Sequence, residues 1–157
     1  MGLKPEALIQ HEVEPSLLGS WHANLLTINR SKCVLFANDK TLFNFIIPSV
    51  QKAQWQKIDI EFKGMLQCVL ADEGFDKSII EHVLSEYDQV GFANTSSKSV
   101  IGSMNELAYY YQGRIEEAGG VHTYMMPKII QGLNYMRFKP IEHSRPIEML
   151  RQLLSQK

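Results

Sequence analysis

His22 and Asp39, with Asn24 nearby, are the residues of this chain best suited to acid–base chemistry together. A carboxylate beside an imidazole selects its tautomer and lets it act as a general base. The pair is therefore the candidate catalytic couple of a hydrolase or nuclease, with Asn24 or Arg30 positioning the substrate. A second candidate is the run Asn94-Thr95-Ser96-Ser97-Lys98-Ser99-Val100-Ile101-Gly102-Ser103-Met104-Asn105, where polar residues lead into a helical pattern. Backbone N–H groups at a helix entrance, hydroxyls and one lysine suit an anion, and Thr95, Lys98, Ser99, Ser103 and Asn105 are the candidate binding residues. The same residue types also make an ordinary helix cap. Arg30 and Lys32 could extend a binding surface toward nucleic acid.

Other chemistries find no support in the residue spacing. His11, His22, His82, His122 and His143 are scattered, and neither Cys-x-x-Cys nor His-Glu-x-x-His occurs, so no metal site is expected. A phosphate loop, a dinucleotide fingerprint and a serine-hydrolase elbow are likewise missing, and no cofactor is expected. Tyr109-Tyr110-Tyr111 could suggest a platform for stacking bases. Successive helical residues point about 100° apart, however, so the three rings cannot form one flat surface.

Positioning His22 beside Asp39 requires a sheet. Three strand-like runs, Trp21–Ile28, Cys33–Ala37 and Thr41–Ile47, are separated by Asn29-Arg30-Ser31-Lys32 and Asn38-Asp39, both good turn chemistry. They predict an antiparallel meander closed by Pro48. With Asn38-Asp39 as a two-residue loop, Leu35 faces Leu42 and Phe36 faces Thr41. With Ile28 facing Cys33, Leu25 meets Phe36 and His22 stands opposite Asp39. One face then carries Trp21, Ala23, Leu25, Val34, Phe36, Phe43 and Phe45, and is core. The other carries His22, Asn24, Leu26, Ile28, Cys33, Leu35, Leu42, Asn44 and Ile46, and needs a cover, either a helix layer or a second subunit.

The rest of the chain reads mainly as helix. Val50 to Glu73 is apolar-periodic and stops at Gly74; Phe75, Ile79, Ile80, Val83, Leu84 and Tyr87 form an amphipathic stripe. A helix from Ser99 to Ala118 buries Met104, Leu107, Ala108, Tyr111 and Ile115. Another spans about Thr123–Phe138 with Pro127 in its first turn, and a last one starts at Pro146. The expected fold is α+β: an antiparallel sheet of three to four strands, with the meander at 21–47 and a candidate strand at 90–93, packed with about five helices. Residues 1–157 form one domain whose opening segment, 1–19, is read as a helix from Pro5 to His11 followed by a loop.

Composition narrows the setting. A chain of 157 residues with 45% hydrophobic and 21% charged residues is a normal globular domain, not a disordered one. Its net charge of -1 gives no global pull toward nucleic acid or anionic lipid. Acids gather over 57–90 and bases from Lys128 onward, as expected of solvated helix faces. Two cysteines, Cys33 and Cys68, read as free thiols in a reducing compartment. No signal peptide opens the chain and no apolar run approaches about 20 residues, so a cytoplasmic, non-membrane protein is expected.

The runs Trp21-His22-Ala23-Asn24-Leu25-Leu26, Asn29-Arg30-Ser31-Lys32-Cys33-Val34-Leu35-Phe36, Asn38-Asp39-Lys40-Thr41-Leu42 and Ser99-Val100-Ile101-Gly102-Ser103-Met104-Asn105 resemble a family of small bacterial proteins that is a domain of unknown function. The likeness continues through Gly119-Gly120 and Pro146-Ile147-Glu148. It implies a bacterial cytosolic protein with the family's architecture, and a start shortened ahead of Gly2-Leu3; it implies no activity. The expected function is a non-enzymatic binding or accessory module that recognises an anionic ligand or nucleic acid at residues 94–105. The alternatives are the His22–Asp39 hydrolase or nuclease, and a structural protein that forms a homodimer through its second sheet face.

Overall fold

The computed structural model describes residues 6–11, 17–87, 90–93 and 98–155. Five strands, β1 (Glu6–His11), β2 (Trp21–Ile28), β3 (Ser31–Asn38), β4 (Asn44–Ile47) and β5 (Val90–Ala93), form one sheet in the order β4-β3-β2-β1-β5. All of its pairings are antiparallel. The helices are α1 (Lys52–Trp55), α2 (Ile58–Asp72), α3 (Lys77–Ser85), α4 (Lys98–Glu117), α5 (Met126–Asn134) and α6 (Pro146–Leu154), with a 3-10 turn at Lys139–Ile141. The expected α+β class and meander are present, with one more strand than expected.

That extra strand is the clearest correction. Glu6–His11, expected as helix, pairs with β2 on one side and β5 on the other. A six-residue helix has too few internal hydrogen bonds to stand alone. Two neighbouring strand edges offer the same backbone a ladder on each side, and tertiary pairing overrides local propensity.

Both hairpin registers also differ from expectation, and for identifiable reasons. Asn29 and Arg30 both take positive φ, 49° and 68°, which makes a tight two-residue turn and sets Ile28 opposite Ser31. Leu25 therefore faces Val34 instead of Phe36. At the second reversal β3 runs on through Asn38, and β4 begins only at Asn44. Leu35 faces Ile46 instead of Leu42. Each shift is by an even number of residues, so every side chain within β2, β3 and β4 keeps the face assigned to it, while Leu42 and Phe43 fall outside the strands.

Helices cover both faces. On the first, Phe62 of α2 packs against Trp21, Phe36 and Phe45 with ring centroids 5.4, 5.0 and 5.8 Å apart. Tyr87, just after α3, meets Phe62 edge-on at 5.6 Å. Such pairs add about 0.5–1.5 kcal/mol each beyond their buried area. Trp21 donates to the Tyr87 hydroxyl at 3.0 Å, which donates to the Gly19 carbonyl at 2.5 Å, so the aromatic cluster carries its own polar tether.

On the second face, Cys33, Leu35 and Ile46 are fully buried, as are Leu107, Tyr111 and Ile115 of α4. α4 lies against β2, and α5 against α4 and β4. The cover sought for this face is thus a helix layer of the same chain. A dimer through the face is not needed to bury it.

Candidate functional site

The end of the sheet near Asn38 brings together part of what the sequence singled out. His22 Nε2 lies 3.0 Å from Asp39 Oδ1, the imidazole buried and the carboxylate 50% exposed. Although His22 pairs with Ala37 across the ladder, Asp39 still reaches it, because the Asp39 amide donates to the Ser20 carbonyl at 2.9 Å and prolongs the strand. Asn24, two residues along the same face, is buried too. The contact fixes the imidazole, but a ring covered this completely, with Nε2 already facing a carboxylate, presents little surface to a substrate.

Asn38 organises this end. Its side-chain amide donates to the Leu18 carbonyl at 2.9 Å, and its Oδ1 accepts from the Lys40 amide, the Thr41 amide and the Thr41 hydroxyl. Thr41 Oγ1 in turn accepts from the Phe43 amide. These bonds wind 39–43 into a wide loop with Leu42 at φ 59°, which is why the two-residue turn does not form.

Next to it, Asn134 of α5 mimics a strand. Its Oδ1 accepts the Asn44 amide at 2.9 Å and its Nδ2 donates to the Asn44 carbonyl at 2.8 Å, capping the β4 edge. Tyr111 of α4 donates to Asn44 Oδ1 at 2.7 Å. Burial pushes both the Tyr87 and Tyr111 phenols above their ordinary value.

Of the candidate anion-binding residues, only Ser103 and Asn105 have described side chains. Thr95 lies outside the described residues, and Lys98 and Ser99 open α4, with only their backbone described. Ser103 is buried, whereas Asn105 is exposed on another face of the helix, so the two do not converge. Arg30 and Lys32 sit at the far end of the hairpin, about 20 Å from His22 at about 3.3 Å per residue. Lys32 Nζ donates to Thr27 Oγ1 there, at 3.2 Å. Of the three tyrosines, Tyr109 is exposed, Tyr110 half-buried and Tyr111 buried, as their helical spacing requires.

A further concavity lies elsewhere. A cleft of about 580 Å³ opens between α2 and α5 at the β4 edge, near Asn134. Phe43, Pro48, Met65, Val69, Met126 and Ile130 give it an apolar lining. Cys68, Asp72, Lys128 and Gln131, all exposed, stand along its rim. Glu73 is committed: it accepts from the Tyr135 hydroxyl at 2.9 Å and lies 3.5 Å from Arg151. Among the described residues Asp72 and Lys128 have no ion-pair partner. Size and lining suit a small ligand.

The family model described as "Domain of unknown function (DUF6933)" matches residues 1–149. The chain belongs to that family. Neither a curated protein nor a solved structure matches it. DUF6933 membership accords with the resemblance carried by the strand and turn signatures, and brings no activity with it.

In this DUF6933 chain, the residues that line the cleft escaped sequence reading because they come from three separated stretches. One signal was present: Met65, Cys68, Val69 and Asp72 recur at helical spacing beside the core stripe of Phe62, Leu66 and Leu70. α2 thus carries more apolar width than the sheet alone can cover. No helix of the described residues is long and apolar enough to cross a membrane, and among them no group of three His, Cys, Asp or Glu side chains could hold a metal ion.

Proposed function

We propose that the protein is a non-enzymatic binding module whose recognition site is the cleft between α2 and α5. The observation that carries this reading is the 580 Å³ concavity itself, apolar within and bordered by exposed Cys68, Asp72, Lys128 and Gln131. Catalysis by His22 and Asp39 would ask for an open imidazole, and an anion site at residues 94–105 would ask Ser103 and Asn105 to face one ligand. Two free thiols, one buried and one exposed on the rim, support a reducing cytosolic setting.

The test is to fill the cleft from its rim. Nile red, a neutral apolar dye, should bind the wild-type protein with a rise in fluorescence. Cys68→Trp and Gln131→Trp, both at exposed positions, should suppress that rise while leaving the far-UV circular dichroism unchanged. An equal dye response in the wild type and both variants would remove the proposal.

A further inference from the structure

We infer that the cleft takes an apolar ligand bearing one ammonium and one carboxylate, the chemistry of a short apolar peptide with free ends; this rests on the binding reading above. The charges of the rim carry it. Asp72 lies on the α2 wall, at the last residue of that helix, and Lys128 on the α5 wall, in its first turn. Each stands where a helix pole has its own sign, negative at the end of α2 and positive at the start of α5. Neither has an ion-pair partner among the described residues. The third rim charge, Glu73, is already held by Tyr135 and Arg151.

Simpler ligands fit this rim less well. A purely apolar molecule would cover the lining but strip water from Asp72 and Lys128 without replacing it, which is costly. A lone carboxylate would meet Lys128 but bring its charge near Asp72 and Glu73. A lone amine would reverse the problem, pairing with Asp72 and facing Lys128. A dipolar ligand answers both charges while its body covers the apolar lining. Met65 and Met126, one on each wall, are side chains able to adapt to different apolar groups, which favours a ligand class over a single shape.

Cys68 provides the reporter, because it is exposed on the cleft rim while Cys33 is buried with its thiol pushed up by desolvation. Iodoacetamide should therefore alkylate Cys68 alone in the folded protein, at a rate followed by mass spectrometry. The free tripeptide leucyl-leucyl-phenylalanine should slow that reaction. Its N-acetylated and C-amidated forms should each need about fivefold more peptide for the same protection, the size of one exposed ion pair. Asp72→Asn should erase the penalty for acetylation only, and Lys128→Gln the penalty for amidation only. Equal protection by free and capped peptides, or no protection by any of them while Nile red still binds, would overturn the dipolar ligand and leave the cleft standing. Failure of Nile red as well would reject the cleft itself.

Discussion

Around Asn38 the polar side chains bond within the chain: Asn38 to the Leu18 carbonyl and the 40–41 backbone, Thr41 to Phe43, Asn134 to both backbone groups of Asn44, and Tyr111 to the Asn44 side chain. On the rim of the α2–α5 cleft, Asp72 and Lys128 are exposed and have no ion-pair partner among the described residues. The first region spends its polarity on holding a wide loop and a sheet edge in place, where an unmade hydrogen bond is expensive. The second leaves its charges to solvent or to a ligand. Residues with the look of a motif, such as Asn38-Asp39-Lys40-Thr41, therefore serve the architecture here, whereas the α2–α5 cleft is lined by residues that form no motif.

The contrast would break most visibly at Asn38. Replacing it in Asn38→Ala strands several buried carbonyl and amide groups at once, so unfolding stability should fall by about 3 kcal/mol or more. Urea denaturation would register this as a lower midpoint at an unchanged slope. A loss below about 1 kcal/mol would mean that water replaces these bonds and that the region is no more committed than the cleft rim.

Alkaline pH gives a smaller and graded effect. Tyr87 and Tyr111 are raised by burial, so the folded chain holds their protons more tightly than the unfolded chain does. Their contribution is complete below the unfolded tyrosine value of about 10 and is lost as pH rises through the folded values. The urea midpoint should accordingly decline above pH about 10, and less steeply in Tyr87→Phe. A midpoint that is flat across this range would show that the phenols are not sealed as described.

The smallest change is expected on the rim. Asp72→Asn and Lys128→Gln should each alter stability by no more than about 0.5 kcal/mol in the same denaturation measurement. A drop comparable with that of Asn38→Ala would assign these charges to the fold and dissolve the distinction between the two regions.

Much of this architecture was legible in the chain. Two-residue alternation in β2, β3 and β4 assigned each side chain to its face, and the assignment survived both register changes because those were even. The 3.6-residue stripes of α3, α4 and α6, with the stop at Gly74 and the start at Pro146, placed the helices to within a few residues. The loop after Asn38 was not legible, because its width depends on which backbone groups one asparagine side chain captures. Nor was β1, whose conformation is decided by pairing with β2 and with β5 far along the chain.

By itself, then, the sequence determined the periodicities, and through them the elements, their buried faces and the proximity of His22 to Asp39. Tertiary structure alone decided the N-terminal strand, the burial that turns that histidine into a packed residue, and the cleft built from Phe43, α2 and α5. The physical reason is range. Side-chain periodicity is a property of neighbouring residues, whereas burial and concavity arise only when distant segments exclude water from a common volume.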